Sequence, residues 1–170
     1  MSEAKIDVAV MMGSKSDLPT MKPAAKTLEA LGLAVEVRVL SAHRTPEEAA
    51  AFVKDAVRRG AKAFICGAGG AAHLAGAVAA HTTRPVIGVP IAAGTLGGFD
   101  SLLSTVQMSP GMPVATVAVG GAENAGLLAA QIIAVGDAAL AKRVEEERLA
   151  RKKKVLESDA EVRAETSAGK

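Results

Sequence analysis

Aromatic residues are scarce in this chain of 170 residues, which has no tryptophan, no tyrosine and three phenylalanines. Proteins that bind single-stranded nucleic acid commonly stack the bases on aromatic side chains. An excess of charge is also missing, because acidic and basic residues nearly balance and the formal net charge is +2. Without a basic excess there is no electrostatic basis for binding a phosphate backbone. The composition therefore argues against a nucleic-acid partner.

The sequence also has little cysteine and no long apolar run. The single cysteine, Cys66, cannot form an internal disulfide, and its position in the apolar run 63–66 indicates a buried, inert thiol. Hydrophobic residues make up 49% of the chain, yet no apolar run approaches the length of a membrane span. No charged-then-apolar leader opens the sequence. These features predict a cytoplasmic protein with no membrane segment.

The sequence does contain a regular alternation of apolar strands and helical segments. The segments with strand character are residues 6–12, 35–40, 63–68, 85–90 and 114–119, and those with helical character are residues 18–31, 46–59, 71–80, 99–106 and 124–134. Five apolar strands separated by helices predict a parallel sheet covered on both faces. We therefore expect a single α/β domain, residues 1–170, with a three-layer flavodoxin-like fold and a core at about residues 5–136.

The character of the sequence changes beyond Asp137, where charged residues dominate. Apolar residues thin out to Leu140, Val144, Leu149 and Val155. We expect a solvated C-terminal helix over this part of the chain, although the sparse apolar positions would also suit packing on another subunit. The last residues, 158–170, are polar and are expected to be frayed.

A first polar loop, residues 13–17, follows the first strand with the sequence Gly-Ser-Lys-Ser-Asp. Such a loop presents free N–H groups and hydroxyls in front of the positive end of the helix dipole. The loop therefore suits an anion, although Ser16 or Asp17 would also serve as an ordinary helix N-cap. The spacing of a Walker loop is absent.

A second polar loop, residues 41–46 with the sequence Ser-Ala-His-Arg-Thr-Pro, places a proton-transfer group beside a cation. Histidine is the side chain whose ordinary pKa lies near neutrality. Arg44 carries a planar fork of donors that suits phosphate or carboxylate. Pro46 suits the first turn of a helix, because its missing N–H would have had no partner there. We expect a reactive loop between a strand and a helix, the alternative being a capping loop with incidental charges.

A third loop, residues 67–73, follows the third strand and ends at His73. All three loops lie at carboxyl ends of strands, where ligands bind in parallel sheets near the point at which strand order reverses. Together they predict one small-molecule site. His81 is interpreted as an ordinary residue at the end of a helix. No histidine, cysteine or aspartate cluster has metal-ligand spacing, so no metal is predicted.

Four motifs occur in a fixed order along the chain, and they are residues 13–17, residues 41–46, the Gly-Gly-Ala-Ala-His-Leu segment at 69–74, and residues 100–108. With these motifs the chain resembles the bacterial 5-(carboxyamino)imidazole ribonucleotide mutases of purine biosynthesis, over about residues 8–133. The segment at 69–74 resembles the mutases more than the related animal-type carboxylases. Departures from the usual family pattern, at Ala75, at Ser109 and in the loop 120–124, lie outside the nucleotide and proton-transfer motifs.

The resemblance implies an isomerase that moves a carboxylate from the exocyclic nitrogen to a ring carbon of a ribonucleotide, with no cofactor. It implies that His43 gives and takes the proton. His73 is expected to orient the substrate carboxylate or a closing loop, the alternative being a helix-start histidine bonded to nearby backbone. The residues expected to contact substrate are Ser14, Asp17, Ser41, Arg44, Gly69 and Gly70.

The resemblance also implies a homo-octamer with active sites near subunit boundaries. The Ala/Gly-rich segments 67–80 and 120–134 favour close helix contacts between subunits, and residues 107–111 would then be able to reach a neighbour's pocket. Two other functions stay open. One is an aminoimidazole ribonucleotide carboxylase, a lyase that uses free carbon dioxide, and the other is a non-catalytic nucleotide-binding module of flavodoxin-like form.

Overall fold

A five-stranded parallel sheet forms the centre of the computed structural model, which describes residues 4–167. The strands are β1 (Val8–Met12), β2 (Val35–Val39), β3 (Ala63–Gly69), β4 (Val86–Ile91) and β5 (Ala115–Thr116). They lie in the order β2-β1-β3-β4-β5, with every pair parallel. This is the flavodoxin-like order, so the predicted fold class is confirmed. Strand order reverses at β1, which places the switch point between β1 and β3.

Helices cover both faces of this sheet. They are α1 (Leu18–Ala30), α2 (Pro46–Arg58), α3 (Leu74–Ala79), α4 (Phe99–Val106), α5 (Ala122–Ala134) and α6 (Ala138–Ser167). Successive strand residues point to opposite faces. In β1, Val10 therefore packs with α1, α5 and the start of α6, whereas Met11 packs with α2 and α3. The result is the expected three-layer arrangement.

Among the five strands and the first five helices, two elements have a boundary that differs by three residues from the sequence-based expectation, and the other boundaries agree within two residues. The fifth strand was expected over residues 114–119, but only Ala115–Thr116 pairs regularly with β4. Beyond it, the Val117 and Gly120 amides still donate to carbonyls of β4, so the segment follows that strand without a regular ladder. The third helix begins at Leu74 instead of residue 71, because the chain first makes a turn at Gly70, whose φ is +60°.

The C-terminal helix α6 continues to Ser167, so the expectation of fraying is wrong for residues 158–167. Residues 168–170 lie outside the described part of the chain. Alanine, glutamate, lysine and arginine are strong helix formers, and they dominate this segment. Ion pairs one turn apart, such as Lys153 with Glu157 at 3.6 Å, add to helix stability. The first half of α6 is anchored to the rest of the fold, through the buried Leu140, a 2.8 Å bond from Arg143 Nε to the Leu31 carbonyl and a 2.6 Å ion pair between Arg151 and Glu123 of α5.

The small residues of α5 pack inside the chain. A Cβ atom added at Gly126 would lie 2.9 Å from the Ala24 carbonyl oxygen, so α5 and α1 approach at backbone distance. Ala125 and Ala129 are fully buried in the same cluster. Small residues in this segment were expected to serve contacts between subunits, whereas Ala125, Gly126 and Ala129 serve contacts within the chain. α4 and the loop before it carry several exposed apolar side chains, of which Leu96 and Phe99 are each 63% exposed.

Candidate active site

One polar cleft lies at the carboxyl edge of the sheet, above the switch point between β1 and β3. Its volume is about 400 Å³, within the usual range for small-molecule sites. The loops after β1, β2 and β3 line it, and Ala93 from the loop after β4 completes the wall. All eight residues predicted for the site line this cleft, namely Ser14, Asp17, Ser41, His43, Arg44, Gly69, Gly70 and His73. Sequence reasoning missed Ala93, which carries no chemical signal.

The first loop is held by a capping box around a short 3-10 turn, Lys15–Asp17. The Ser14 hydroxyl accepts from the Ser16 amide at 3.3 Å, and the Asp17 carboxylate accepts from the Ser14 amide at 3.1 Å. Ser14 caps the 3-10 turn, whereas Asp17 stands at the N-cap position of α1, one of the two residues that the sequence alternative named. The Asp17 carboxylate bonds to the Ser14 amide and not to the first turn of α1. Both Ser14 and Asp17 face the cleft while fixing their own loop.

The second loop is organised by its two hydroxyl residues. The Ser41 Oγ accepts from the backbone amides of His43, at 3.3 Å, and Arg44, at 3.2 Å. The Thr45 Oγ1 accepts from the Ser41 amide at 2.8 Å, and Pro46 then begins α2. Sequence reasoning missed this role of Thr45. The signal was its position directly before a helix-starting proline, where short hydroxyl side chains organise the turn.

Arg44 connects the second loop to the first. Its Nη2 donates to the Gly13 carbonyl at 2.7 Å, and its Nε lies 3.5 Å from the Ser41 Oγ. The guanidinium is thereby held at the rim of the cleft next to the capping box of the first loop. A planar cation beside a Gly/Ser loop can bind the oxygens of a phosphate.

The third loop depends on two glycines. A Cβ atom added at Gly69 would lie 2.8 Å from the Ala93 Cβ and 3.1 Å from the Ile91 carbonyl oxygen. Gly70 has a φ of +60°, a backbone conformation that other residues seldom adopt. The two glycines therefore shape the wall of the cleft by their lack of a side chain, and they expose backbone to a ligand.

The two histidines of the cleft are in direct contact. His43 Nε2 lies 2.8 Å from His73 Nδ1, and the rings meet edge to face with their centroids 4.9 Å apart. One ring nitrogen must donate and the other accept, so a proton can be exchanged between the two rings. His81 does not line this cleft, and its amide bonds to the Val78 carbonyl at the end of α3, consistent with an ordinary helix-end residue.

The described residues contain neither a reactive thiol nor a cluster of metal ligands. Burial raises the pKa of the Cys66 thiol far above its usual range, so this thiol stays protonated. No group of three or more His, Cys, Asp or Glu side chains in residues 4–167 is arranged to hold a metal ion. No helix in the same range is long and apolar enough to cross a membrane.

The fold and the cleft together define a class: an α/β enzyme that acts on a small molecule at the carboxyl edge of its sheet. The sequence profile of the AIR carboxylase family matches residues 7–154. The chain belongs to that family, and the resemblance inferred from the four motifs is confirmed.

Curated relatives carry a more specific name. The N5-carboxyaminoimidazole ribonucleotide mutase of Brucella melitensis is 54% identical over 89% of this chain and 95% of its own length. The mutase of Bacillus subtilis is 53% identical over 89% of this chain and 94% of its own length. Among solved structures, Treponema denticola PurE is 28% identical, with a TM-score of 0.82 over 91% of this chain and 96% of that one.

Proposed function

We propose that this chain is an N5-carboxyaminoimidazole ribonucleotide mutase, which converts the carbamate on the exocyclic amine of an aminoimidazole ribonucleotide into a carboxylate on the ring carbon. The observation that carries the proposal is the convergence of His43, His73 and Arg44 on one cleft of a small-molecule enzyme. The names of relatives 51–54% identical to this chain support the same reaction.

The reaction needs one group that both gives and takes a proton, and His43 is suited to that role. Protonated His43 donates to the exocyclic nitrogen as the bond from that nitrogen to the carboxylate carbon breaks. The carbon dioxide released stays beside the electron-rich ring, which attacks it through carbon. Neutral His43 then removes the proton from the tetrahedral ring carbon. The proton lost in the first step is regained in the last, so the isomerisation consumes nothing.

Carbon dioxide must be kept in the cleft between these steps. Holding it next to the ring supplies an effective concentration that solution cannot provide. The Gly69–Gly70 wall supports this part of the proposal, since a flat backbone surface lets the ring and carbon dioxide lie close to it. His73 holds the His43 imidazole in place through the 2.8 Å contact between His73 Nδ1 and His43 Nε2, so the proton-transfer group stays beside the ring.

The nucleotide part of the substrate is assigned to the first two loops. Arg44, next to the Gly13–Ser14 backbone, is the residue for the phosphate. Asp17 already accepts the Ser14 amide, and a carboxylate has further lone pairs with which to accept from ribose hydroxyls. Ser14 and Ser41, which both line the cleft, complete the contacts.

The direct test is conversion of the carbamate ribonucleotide to the ring carboxylate by the purified protein without ATP, followed by ultraviolet absorbance or proton NMR. With a ¹³C-labelled carbamate in unlabelled bicarbonate, the product should keep most of the label, because carbon dioxide does not leave the cleft. Absence of conversion would overturn the proposed function.

The alternative is carboxylation of aminoimidazole ribonucleotide by free carbon dioxide, the activity named in the family description. A carboxylase would form product from aminoimidazole ribonucleotide and bicarbonate as fast as from the carbamate, and it would lose the label. A non-catalytic nucleotide-binding module would bind the ribonucleotide and convert neither compound. The histidine contact in the cleft argues against that module, since binding alone does not need a proton pathway.

We further propose a homo-octamer with the active sites near subunit boundaries, located in the cytoplasm. The exposed apolar stripe on α4, formed by Phe99, Leu103 and Val106, supports burial against another copy. In residues 107–111, Met108 packs over Gly76 of its own chain, while Gln107 is exposed and available to a neighbour. The free Cys66 thiol supports a reducing compartment.

A further inference from the structure

Ser104 lies on α4, outside the three loops of the cleft, yet its hydroxyl contacts the third loop twice. The Ala72 amide donates to Ser104 Oγ at 3.0 Å, and the same oxygen lies 3.2 Å from the Gly70 carbonyl. One oxygen atom therefore spans the turn between Gly70 and Ala72. Ser104 is half-buried, and it was not among the residues that sequence reasoning selected.

The contact fixes the residue directly before His73. Ala72 is 1% exposed and Leu74 is 2% exposed, so His73 projects from between two buried neighbours. Leu74 is held by packing in the core cluster of α2 and α3. The backbone of Ala72 is held by the hydrogen bond from its amide to Ser104 Oγ. A shift of Ala72 would turn the His73 ring relative to His43.

We propose that Ser104 is a positioning residue for the reaction, acting through the Ala72 amide to keep His73 Nδ1 in contact with His43 Nε2. For its catalytic consequence this inference rests on the proposed function. The contact itself can be tested in the free protein. Ser104 touches neither histidine, so its effect must travel through the backbone of residues 70–73.

The donor and acceptor roles of the Ser104 hydroxyl are separable. Its single proton is nearest the Asp100 carbonyl one turn earlier, at 2.9 Å, so the Gly70 carbonyl at 3.2 Å is the weaker acceptor. The oxygen lone pairs remain for the Ala72 amide, which is the bond that matters for the third loop. Threonine keeps this hydroxyl, alanine removes it, and cysteine replaces it with a weak acceptor of similar size. Alanine is also the better helix former, so Ser104→Ala does not weaken α4 itself.

The experiment compares Ser104→Ala, Ser104→Cys and Ser104→Thr with the wild type by steady-state kinetics and by ¹⁵N NMR of the imidazole nitrogens. The chain has three histidines, and His81 outside the cleft serves as an internal reference. The matched control is Ser101→Ala on the same helix. Ser101 Oγ donates to carbonyls of Ile91 and Gly98 at 2.9 Å, so this control also removes a hydroxyl from α4 but leaves the third loop bonded.

We expect Ser104→Ala and Ser104→Cys to lower kcat by about tenfold to a hundredfold, since small misplacements of catalytic groups have effects of this size, while KM changes little. The imidazole signals of His43 and His73 should shift in both variants, and Ser104→Thr should restore rate and signals. The Ser101→Ala control should lower thermal stability without moving those signals.

Two results would overturn the inference. The first is a Ser104→Ala variant with the kcat and imidazole signals of the wild type. The second is a Ser101→Ala control that reproduces the same changes, which would assign them to general damage of α4. If Ser104→Ala fails to fold, the comparison of Ser104→Cys with Ser104→Thr decides. If the wild type converts no substrate, the proposed function fails, and the imidazole signals still test the contact.

Discussion

His43 Nε2 and His73 Nδ1 lie 2.8 Å apart, with the two rings at 88° to each other. The residues come from the loops after β2 and β3, which are not neighbours in the sheet but flank β1 on its two sides. Their contact therefore crosses the carboxyl end of β1 at the switch point. Since one imidazole must donate to the other, the tautomer of His73 determines which nitrogen of a neutral His43 carries the proton.

Replacing His43 with asparagine should abolish isomerisation while nucleotide binding survives. Asparagine keeps the approximate size and some hydrogen bonding but cannot transfer a proton, and general acid–base groups contribute about 100- to 10,000-fold to rate. Turnover is measured by the ATP-free assay and binding by titration calorimetry with the product. His81→Asn is the matched control and should keep wild-type turnover. If His43→Asn retains more than about a tenth of the rate, His43 is not the proton-transfer group.

Replacing Arg44 with leucine should weaken binding of the ribonucleotide far more than binding of the corresponding unphosphorylated riboside. A charge-assisted contact with phosphate is among the stronger polar contacts, and leucine offers no donor. Arg44 also donates to the Gly13 carbonyl, so some loosening of the first loop is expected for both ligands. The informative quantity is the ratio of the two affinities. An equal loss for phosphorylated and unphosphorylated ligands would remove Arg44 from the phosphate site.

The sequence predicts those features of the fold and the site that depend on residues close together in the chain. Strand periodicity and polar loops at strand ends were enough to place His43 and Arg44 beside the Gly13–Asp17 loop, because carboxyl ends of parallel strands meet at one edge. The contact between His43 and His73 was beyond such reasoning, since it depends on the positive φ of Gly70 and on the turn that follows.

Long-range packing was the second limit. Small residues in α5 indicate a close helix approach, but composition does not say whether the partner helix belongs to the same chain. In the fold that partner is α1, at Ala24. The bond from Ala72 to Ser104 likewise joins residues far apart in sequence, and a lone serine on a helix carries no signal for it.

Asp7 should make the stability of the fold depend on pH in the acid range. Burial of the carboxyl acts to raise its pKa, but hydrogen bonds from the Ala34 amide, at 3.0 Å, and from Lys62 outweigh this and hold the pKa below its ordinary value of 3.8. A folded-state pKa below the unfolded-state value means that the carboxylate stabilises the fold above pH 3.8. That contribution is lost as the pH falls through the lower folded-state pKa.

Asp7→Asn should therefore lower the free energy of unfolding by about 1 kcal/mol at neutral pH, the net contribution of a typical intramolecular hydrogen bond. The difference from wild type should shrink toward zero below pH 3.8. Urea unfolding at neutral and acid pH measures both values. Asp159→Asn, on the exposed part of α6, is the control and should leave stability unchanged. A deficit of equal size at both pH values would show that the Asp7 charge is not responsible.

The exposed stripe on α4 leads to the last prediction, that the enzyme is an oligomer whose assembly is needed for activity. Phe99, Leu103 and Val106 are spaced so that they share one helix face, and all three are solvent-exposed in the single chain. The opposite side of α4 carries Ser104, which is bonded to the His73 loop. A second copy that covers the stripe would therefore stabilise α4, which supports the loop that carries His73. Light scattering at micromolar concentration should report an oligomer, and a fully active monomer would refute the idea.

The substitution Leu103→Glu tests whether assembly is needed for activity while leaving the fold of the single chain intact. A charge at the centre of the stripe costs little in an exposed monomer but is strongly unfavourable in an apolar interface. We expect the variant to keep the far-ultraviolet circular dichroism of the wild type, to dissociate, and to lose turnover in parallel with dissociation. Val135→Glu is the matched control, because Val135 is 91% exposed and stands apart from the stripe. It should leave both mass and turnover unchanged, and a Leu103→Glu variant that dissociates yet keeps full turnover would show that the cleft is complete within one chain.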